Sequence, residues 1–374
     1  MRRLLALTCT MILVDTIFYA TLTPLVPYFA EELGLSKSAV GILSGAFGAG
    51  VLLGAAPGGY LAARLGVKPV ALAGLGAMSF ASLLFGFAGE VWEFVALRFA
   101  AGFGSALSWI AAFTWLVAQA PEERQGRMIG TLLSAAVVGV LLGPALGATA
   151  AIIGIPLVFA LVSAVGLSVT LWASVTPAPG PSPGRPFAGT FTEIFRPRSM
   201  SGLAFVGFSP LLYGVLAVLA PLELSDFGWS AAAIGAVFFF AALLEAVVHP
   251  LIGRWTDWAG YRPPILAGLL ASFSVLLALP LVPGALLVAL LIVLADVAFN
   301  TPLVPGTVLF TREAEKAGIE RALAFGASNF AWASGYAAGA FLGGMLADLG
   351  GDALSYLSLA TVCLLALLVS RRVI

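Results

Sequence analysis

The sequence predicts an all-α membrane protein in which twelve transmembrane helices form two related six-helix bundles. Three observations lead to this fold class: the apolar composition, a repeat that relates the two halves, and the placement of the basic residues. Of the 374 residues, 61% are hydrophobic and only 10% are charged, which is far more apolar than a soluble domain. The alternation of polar and apolar residues that is typical of a transmembrane barrel is absent from the sequence.

Two kinds of repeated element relate the halves of the chain. The stretch Gly59–Pro69 returns 194 positions later as Gly253–Pro263. A stripe of glycines recurs at an offset of 196, with Gly139, Gly143 and Gly147 in the first half and Gly335, Gly339 and Gly343 in the second. Repetition on this scale in an apolar chain predicts two parallel halves related by pseudo-symmetry.

The apolar runs predict six helices of about 20 residues in each half. In the first half they span 4–28, 39–62, 69–88, 91–118, 128–150 and 153–175. In the second half they span 200–222, 230–252, 263–282, 285–306, 324–347 and 353–370. The bundles are therefore predicted at 1–175 and 200–374. A linker at 176–199 joins them, since its prolines and glycines cannot continue a helix.

The basic residues orient this arrangement in the membrane, because Lys and Arg near short loops collect on the cytoplasmic side. Sixteen of the eighteen basic residues fall on one side of the predicted helices. Lys37 alone falls on the other side, and Arg98 lies inside a helix. Both termini and the linker are therefore predicted to be cytoplasmic, in a plasma (inner) membrane protein.

The repeated loop resembles a motif of the major facilitator superfamily, Gly-x-x-x-Asp-Arg-x-Gly followed by two basic residues. The first copy keeps Gly59, Arg64, Gly66 and Lys68, and the second keeps Gly253, Asp257, Gly260 and Arg262. Ala63 replaces the acid in the first copy, and Trp258 replaces a basic residue in the second. The resemblance implies a gating role. Asp257 is expected to contact a helix N-terminus of the opposite half when the cytoplasmic side is closed.

Two further motifs resemble the same family. Arg98 opens a segment, Arg-x-x-x-Gly-x-Gly, that is similar to its second motif. The glycine stripe continues the likeness to its antiporter branches, with the residues Gly139, Gly143, Pro144 and Gly147. Such glycines let helices approach closely, and close packing alone is the alternative interpretation. Asp15 and Asp296 are similar to acids of the drug/proton antiporters and vesicular monoamine transporters.

Few ionisable side chains are predicted inside the bilayer. They are Asp15, Arg98, Glu245, Asp296 and, near a helix end, His249. A charge in the membrane is costly unless it faces a cavity or a partner, so each is a candidate functional residue. A structural ion pair is the alternative. A rise of ~1.5 Å per residue puts both aspartates near the midplane. We predict that the first four couple protons and substrate.

Helical spacing predicts which side chains accompany these charges. The predicted cavity residues are Phe18, Tyr19, Leu22, Ser105, Trp109, Asn300 and Asn329. For the aromatic residues, packing is an equally valid interpretation. Glu245 and His249 share a face of one helix and could form a proton route from Asp296. Alternatively, His249 caps its helix or contacts Asp257.

These features predict a secondary transporter that exchanges protons for a small lipophilic, cationic compound by alternating access. A desolvated carboxyl group can take up a proton near neutral pH and release it when a cation binds. Proton-coupled uptake, lipid translocation by the same fold and a non-transporting membrane sensor are the alternatives. We expect a monomer in the lipid bilayer that is driven by the proton gradient.

Other classes of function find little support in the sequence. An intramembrane hydrolase is not indicated, because the chain has one histidine and no His-Glu-x-x-His motif. Nucleic-acid binding is not indicated either, since no basic surface exists beyond the loop ends. No cofactor and no metal are expected.

Overall fold

The computed structural model describes residues 1–181, 197–317, 319 and 321–373. These residues form fourteen α-helices and two short 3-10 helices. The first half contains α1 (Arg2–Ala20), α2 (Val26–Glu32), α3 (Lys37–Leu65), α4 (Val67–Phe85), α5 (Val91–Gln119), α6 (Glu122–Ile153) and α7 (Ile155–Val175). The second half contains α8 (Pro197–Asp226), α9 (Ala231–Ala259), α10 (Arg262–Ala278), α11 (Ala285–Asn300), α12 (Leu303–Lys316), α13 (Arg321–Gly350) and α14 (Asp352–Val373). Most of the predicted linker lies outside the described residues.

The predicted all-helical membrane fold is confirmed. Within the described part of the chain, eleven helical stretches are long and apolar enough to cross a bilayer. The 30-residue helix α13 completes the predicted set of twelve.

Two of the predicted helices, however, are interrupted. The helix predicted at 4–28 is divided into α1 and α2 by a 3-10 turn at Thr23–Leu25. The helix predicted at 285–306 is divided between α11 and α12, and α12 continues to Lys316. Pro24 and Pro302 stand at the two breaks. Proline lacks the N–H group that a continuous helix needs, so the regular α-helical hydrogen bonding changes at these points, while each predicted span remains one membrane-crossing stretch, Arg2–Glu32 and Ala285–Lys316.

Contacts divide the chain into two compact units. The first unit contains Met1–Leu25 and the helices from Ala46 to the linker. The second contains Val26–Gly45 together with the helices that follow the linker. The first nine residues of α3 therefore belong to the second unit and the remainder to the first. The bundle boundaries at 175 and 200 stay a prediction.

The glycine stripe of the first half packs against α1. A Cβ atom at Gly139 would overlap the carbonyl oxygen of Leu13 and the side chain of Thr16. A Cβ at Gly143 would overlap Ala20. Only glycine permits this approach of α6 to α1, which fixes the helix that carries Asp15.

The second half repeats this packing between α13 and α8. A Cβ at Gly335 would overlap the backbone oxygen of Gly207, and one at Gly339 would overlap that of Leu211. The turns repeat as well, since Gly66 and Gly260, 194 positions apart, both have positive φ angles, of 90° and 79°. The sequence repeat is therefore a repeat of local structure.

Candidate functional site

Asp15 lies in the interior of the first unit, on α1, with 1% of its surface exposed. Its Oδ1 atom accepts two hydrogen bonds, from Ser105 Oγ at 2.9 Å and from Trp109 Nε1 at 2.9 Å. Both donors lie on α5, where a spacing of four residues puts them on one face. The structure thus brings together three residues that the sequence predicted for the site.

The other carboxylate oxygen of Asp15, Oδ2, is buried and has no hydrogen-bond partner among the described residues. A buried carboxylate oxygen without a donor is costly unless a proton or a cation occupies it. Asp15 therefore has one oxygen that the protein holds in place and one that can accept a small cationic group.

Arg98 is directed at the end of α1. Its Nη1 donates a hydrogen bond to the carbonyl oxygen of Phe18 at 3.4 Å, and its Cζ lies 4.9 Å from the centre of the Phe47 ring. Because α1 ends at Ala20, the guanidinium lies at a helix C-terminus, where positive charge is favourable. The predicted role of Arg98 in coupling protons and substrate stays a prediction.

The aromatic residues predicted to share a face with Asp15 turn to different neighbours. The ring of Tyr19 lies 5.2 Å from that of Phe47 on α3. Phe18 is 4% exposed, and its ring approaches Gly166 on α7, where a Cβ atom would lie 3.4 Å away. Phe18 therefore fills the interior of the unit, which is the packing alternative stated for these side chains.

The second unit holds a pair of acidic side chains contributed by two helices. Asp296 on α11 is 3% exposed, and its carboxyl group is hydrogen-bonded to that of Glu245 on α9. Two charged carboxylates placed side by side repel each other, so a hydrogen bond between them requires that one of them carries a proton.

Two further side chains extend this pair. Asn300 Nδ2 donates to Asp296 Oδ1 at 3.4 Å. His249 Nε2 lies 3.2 Å from Glu245 Oε1, although the groups are not aligned for a hydrogen bond, and the His249 ring is hydrogen-bonded to the backbone of Asn300.

Exposure rises along this cluster. It increases from 3% at Asp296 to 20% and 23% for the side chains of Glu245 and His249. The cluster thus links a sealed carboxyl group to a partly exposed one. A proton route from Asp296 would need this order.

The helix breaks lie close to both acids. Asp15 is five residues before the end of α1, and Asp296 is four residues before the end of α11. Discontinuous helices often line the binding site of a secondary transporter. Pro24 and Pro302 were the signal for these breaks in the sequence.

The second unit also contains polar groups that the sequence analysis missed. Ser209 and Tyr213 follow Asp15 and Tyr19 by 194 positions. Ser209 is 0% exposed, and its Oγ has no hydrogen-bond partner among the described residues. The offset of the repeat would have identified both residues.

Aromatic rings from α8 and α13 accompany Tyr213. Its ring lies 6.3 Å from that of Tyr336, which stacks on Trp332 at 5.4 Å. Asn329, one turn before Trp332 on α13, has a buried Nδ2 without a hydrogen-bond partner in the described part of the chain. The predicted place of Asn300 and Asn329 in the substrate cavity stays a prediction.

The repeated loop motif lies at the ends of α3 and α9. Cβ atoms at Gly59 and Gly253 would meet nothing within 4 Å, so these glycines are not required for close packing. The Arg64 guanidinium lies 4.9 Å from the ring centre of Tyr60, and Asp257 is exposed. The gating role of the motif stays a prediction.

A family model for the Major Facilitator Superfamily matches residues 8–319 and 213–373 of the chain. The chain belongs to the major facilitator superfamily. It is therefore a multi-pass membrane protein of a transporter superfamily.

Curated relatives agree with this assignment. The chain is 28% identical over 258 residues to the uncharacterized MFS-type transporter YcaD of Escherichia coli O7:K1. This alignment covers 65% of the chain and 63% of that protein. It is 30% identical over 144 residues to YcaD of Salmonella dublin, and this alignment covers 38% of the chain and 37% of that protein. In both matches the chain spans less than two thirds of the relative.

Solved structures show the same fold. The superfamily member described here is similar to a bacterial homologue of the human lysosomal transporter Spinster, with a TM-score of 0.79 and 17% identity over 98% of this chain and 96% of that one. It is also similar to a D-xylose–proton symporter, with a TM-score of 0.77 and 18% identity. That alignment covers 99% of this chain and 96% of the symporter chain.

Proposed function

We propose that this transporter is a proton-coupled antiporter that exports a small lipophilic cation. The observation that carries the proposal is the chemical difference between the two buried acidic sites. One site is a carboxyl pair that must hold a proton, and the other is a single carboxylate with a buried oxygen free of hydrogen-bond donors.

The pair formed by Glu245 and Asp296 serves as the proton site. Its two carboxyl groups share a hydrogen bond, and Asp296 is sealed while Glu245 is partly exposed. A proton can therefore enter or leave through Glu245 without exposing Asp296 to water. Ionisable groups placed in this way inside a membrane are typical of proton relays.

Asp15 serves as the cation site. Ser105 and Trp109 hold its Oδ1 atom, which leaves Oδ2 for a positively charged group. The Trp109 indole also stacks on Phe113, with the ring centres 5.8 Å apart. Aromatic faces beside a carboxylate favour an organic cation over a hydrated metal ion, because they bind apolar and cationic parts of one molecule.

Exchange follows if the protein alternates between a proton-loaded and a cation-loaded state. A negative charge left unpaired in the bilayer is costly. We therefore propose that the protein changes its membrane exposure with one positive charge bound, either a proton at the pair or the cation at Asp15, and that binding of one releases the other. This mutual exclusion couples the inward movement of protons to the outward movement of the cation.

Proteoliposomes loaded with acidic buffer and diluted into alkaline buffer test the proposal. An antiporter accumulates a lipophilic cation in the acidic lumen, whereas a symporter or uptake system accumulates it only under the reversed gradient. We expect Asp15→Asn and Asp296→Asn each to abolish accumulation and Asp226→Asn, on the exposed end of α8, to leave it unchanged. Wild-type accumulation in both buried variants would contradict the coupling.

A further inference from the structure

A group of polar contacts within the second unit joins the start of α3 to the end of α13 and the start of α14. Asp348 accepts hydrogen bonds from two backbone N–H groups of α3, from Lys37 at 3.1 Å and from Ser38 at 2.8 Å. Nζ of Lys37 lies 2.7 Å from both carboxylate oxygens of Asp352. We call these contacts of Lys37, Ser38, Asp348 and Asp352 the α3 clasp.

The clasp adds a cap from a distant segment to the local one of α3, in which Ser36 Oγ accepts a hydrogen bond from the backbone N–H of Ala39 at 3.2 Å. The first N–H groups of a helix lack partners inside it, and a carboxylate at this end is favourable. Asp348 accepts hydrogen bonds from the first N–H groups of α3 and places a negative charge at its N-terminus, although it lies 311 residues from Lys37. Lys37 is also the basic residue that the charge pattern assigns alone to the predicted outer face.

Beneath the clasp, α3 and α13 meet along glycines. A Cβ at Gly344 would overlap the carbonyl oxygen of Lys37, and a Cβ at Gly41 would overlap that of Ala340. A Cβ at Gly45 would lie 3.1 Å from the carbonyl oxygen of Ala337, so the two helices are less close there. The second unit also ends its share of α3 at this residue.

The next glycines of α3 face α5 in the first unit. A Cβ at Gly50 would overlap the backbone oxygen of Phe99, and one at Gly54 would lie 2.9 Å from that of Phe103. One continuous helix therefore presents two successive glycine faces. The first face packs within the second unit and the other within the first.

We propose that the α3 clasp is a releasable latch, and that the transporter opens at the predicted outer face only when the clasp separates. The contacts are suited to release because Lys37 and Asp352 keep 30% and 24% of their side chains exposed, so water can replace their hydrogen bonds. At Gly41 and Gly344 the nearest atoms across the contact are backbone atoms. The proposal needs only that a transporter alternates, and it is independent of the substrate and of proton coupling.

The distance between spin labels on Glu32→Cys and Leu349→Cys, in a chain with Cys9 and Cys363 replaced by alanine, reports on the clasp. In the parent we expect a predominant short distance and a minor longer one. Asp348→Ala and Lys37→Asp should each raise the longer-distance population about three- to tenfold, since each removes a favourable charge contact of α3.

The matched control is Glu93→Ala. The Glu93 carboxylate accepts N–H bonds from Gly89 at 2.8 Å and Glu90 at 3.1 Å. Its loss removes a comparable helix cap from α5 without touching α3, so the distances should stay as in the parent.

Two further variants keep the test independent of folding defects. The exchange Lys37→Asp with Asp352→Lys restores an ion pair and should restore the short distance. Gly41→Val changes no charge and should lengthen the distance, because its side chain would overlap Ala340. The proposal is overturned if Asp348→Ala and Lys37→Asp keep the parent distribution, or if the charge exchange fails to restore it.

Discussion

The two buried acidic sites differ in what surrounds the carboxyl group. In the first unit, the neutral donors Ser105 and Trp109 bind one oxygen of Asp15. In the second unit, the carboxyl group of Asp296 faces another acid, Glu245. Neutral donors leave a carboxylate that can pair with a cation, whereas a neighbouring acid obliges the pair to keep a proton. We therefore assign the two ions of the proposed exchange to different units.

The repeat makes this difference informative. The position equivalent to Asp15 in the second half is Ser209, a buried residue without a charge. The acid of the second half comes instead from α11. Two halves with related backbones can thus carry different chemistry, because a single side chain changes the site while the helix packing is kept.

The largest effect is expected for Asp296→Asn, which removes the buried titrating group of the pair with little change in shape. Cation uptake driven by a pH gradient should fall by at least about 100-fold, since Glu245 alone can take up a proton but has no inner carboxyl group to exchange it with. The affinity for the cation should remain within about threefold of the wild type, because Asp15 is intact. Initial rates and binding isotherms measured on the same preparation check both statements.

Asp15→Asn should weaken binding of the cation in the first unit. Removing one partner of a buried charge pair costs ~3 kcal/mol, which corresponds to a Kd about 100-fold weaker. Isothermal titration with a lipophilic cation measures this change. Ser209→Ala, at the equivalent position of the second half, serves as the control. A Kd unchanged in Asp15→Asn would show that the cation binds elsewhere.

A smaller effect is expected when the donors to Asp15 are removed. Ser105→Ala and Trp109→Phe each delete one hydrogen bond to a charged group, at a cost of ~1.5 kcal/mol or about tenfold in Kd. Phenylalanine retains a ring that can stack on Phe113, so the Trp109 variant isolates the N–H group. Equal affinities in the wild type and both variants would mean that Oδ1 is not held for cation binding.

His249→Gln should have the smallest effect. The residue touches the pair only through Glu245 and lies at its more exposed end, so we expect transport to slow by about two- to threefold. Glutamine keeps a donor for the backbone of Asn300. A rate measured as a function of pH checks the prediction, and a loss as large as that of Asp296→Asn would make His249 part of the proton site itself.

The sequence predicted the contacts that depend on local spacing. Ser105 and Trp109 lie four residues apart, and this spacing places both donors on one face of α5 towards Asp15. Glu245 was likewise linked to Asp296 as a step on a proton route. Apolar runs and the repeat were sufficient to predict the helices themselves, since helix length and composition are set by the bilayer.

Features that depend on tertiary contacts were not predicted. Pro24 and Pro302 were visible, but whether a proline bends or interrupts a helix depends on its surroundings, such as Arg98 at the Phe18 carbonyl. Spacing also gives a face and not its rotation, so the sequence left open whether Phe18 packs in the interior or lines a cavity. The contacts of Lys37 with Asp348 cross 311 residues, and no local pattern encodes them.

Counterflow compared with gradient-driven uptake in Asp296→Asn tests the division between the two sites most directly. Counterflow exchanges one cation for another across the proteoliposome membrane and needs no proton transfer. We predict that Asp296→Asn retains counterflow within about threefold of the wild type while its pH-driven accumulation is lost, and that Asp15→Asn loses both. Loss of counterflow in a folded Asp296→Asn protein, or retention of its pH-driven accumulation, would contradict the assignment of the proton to the second unit and the cation to the first.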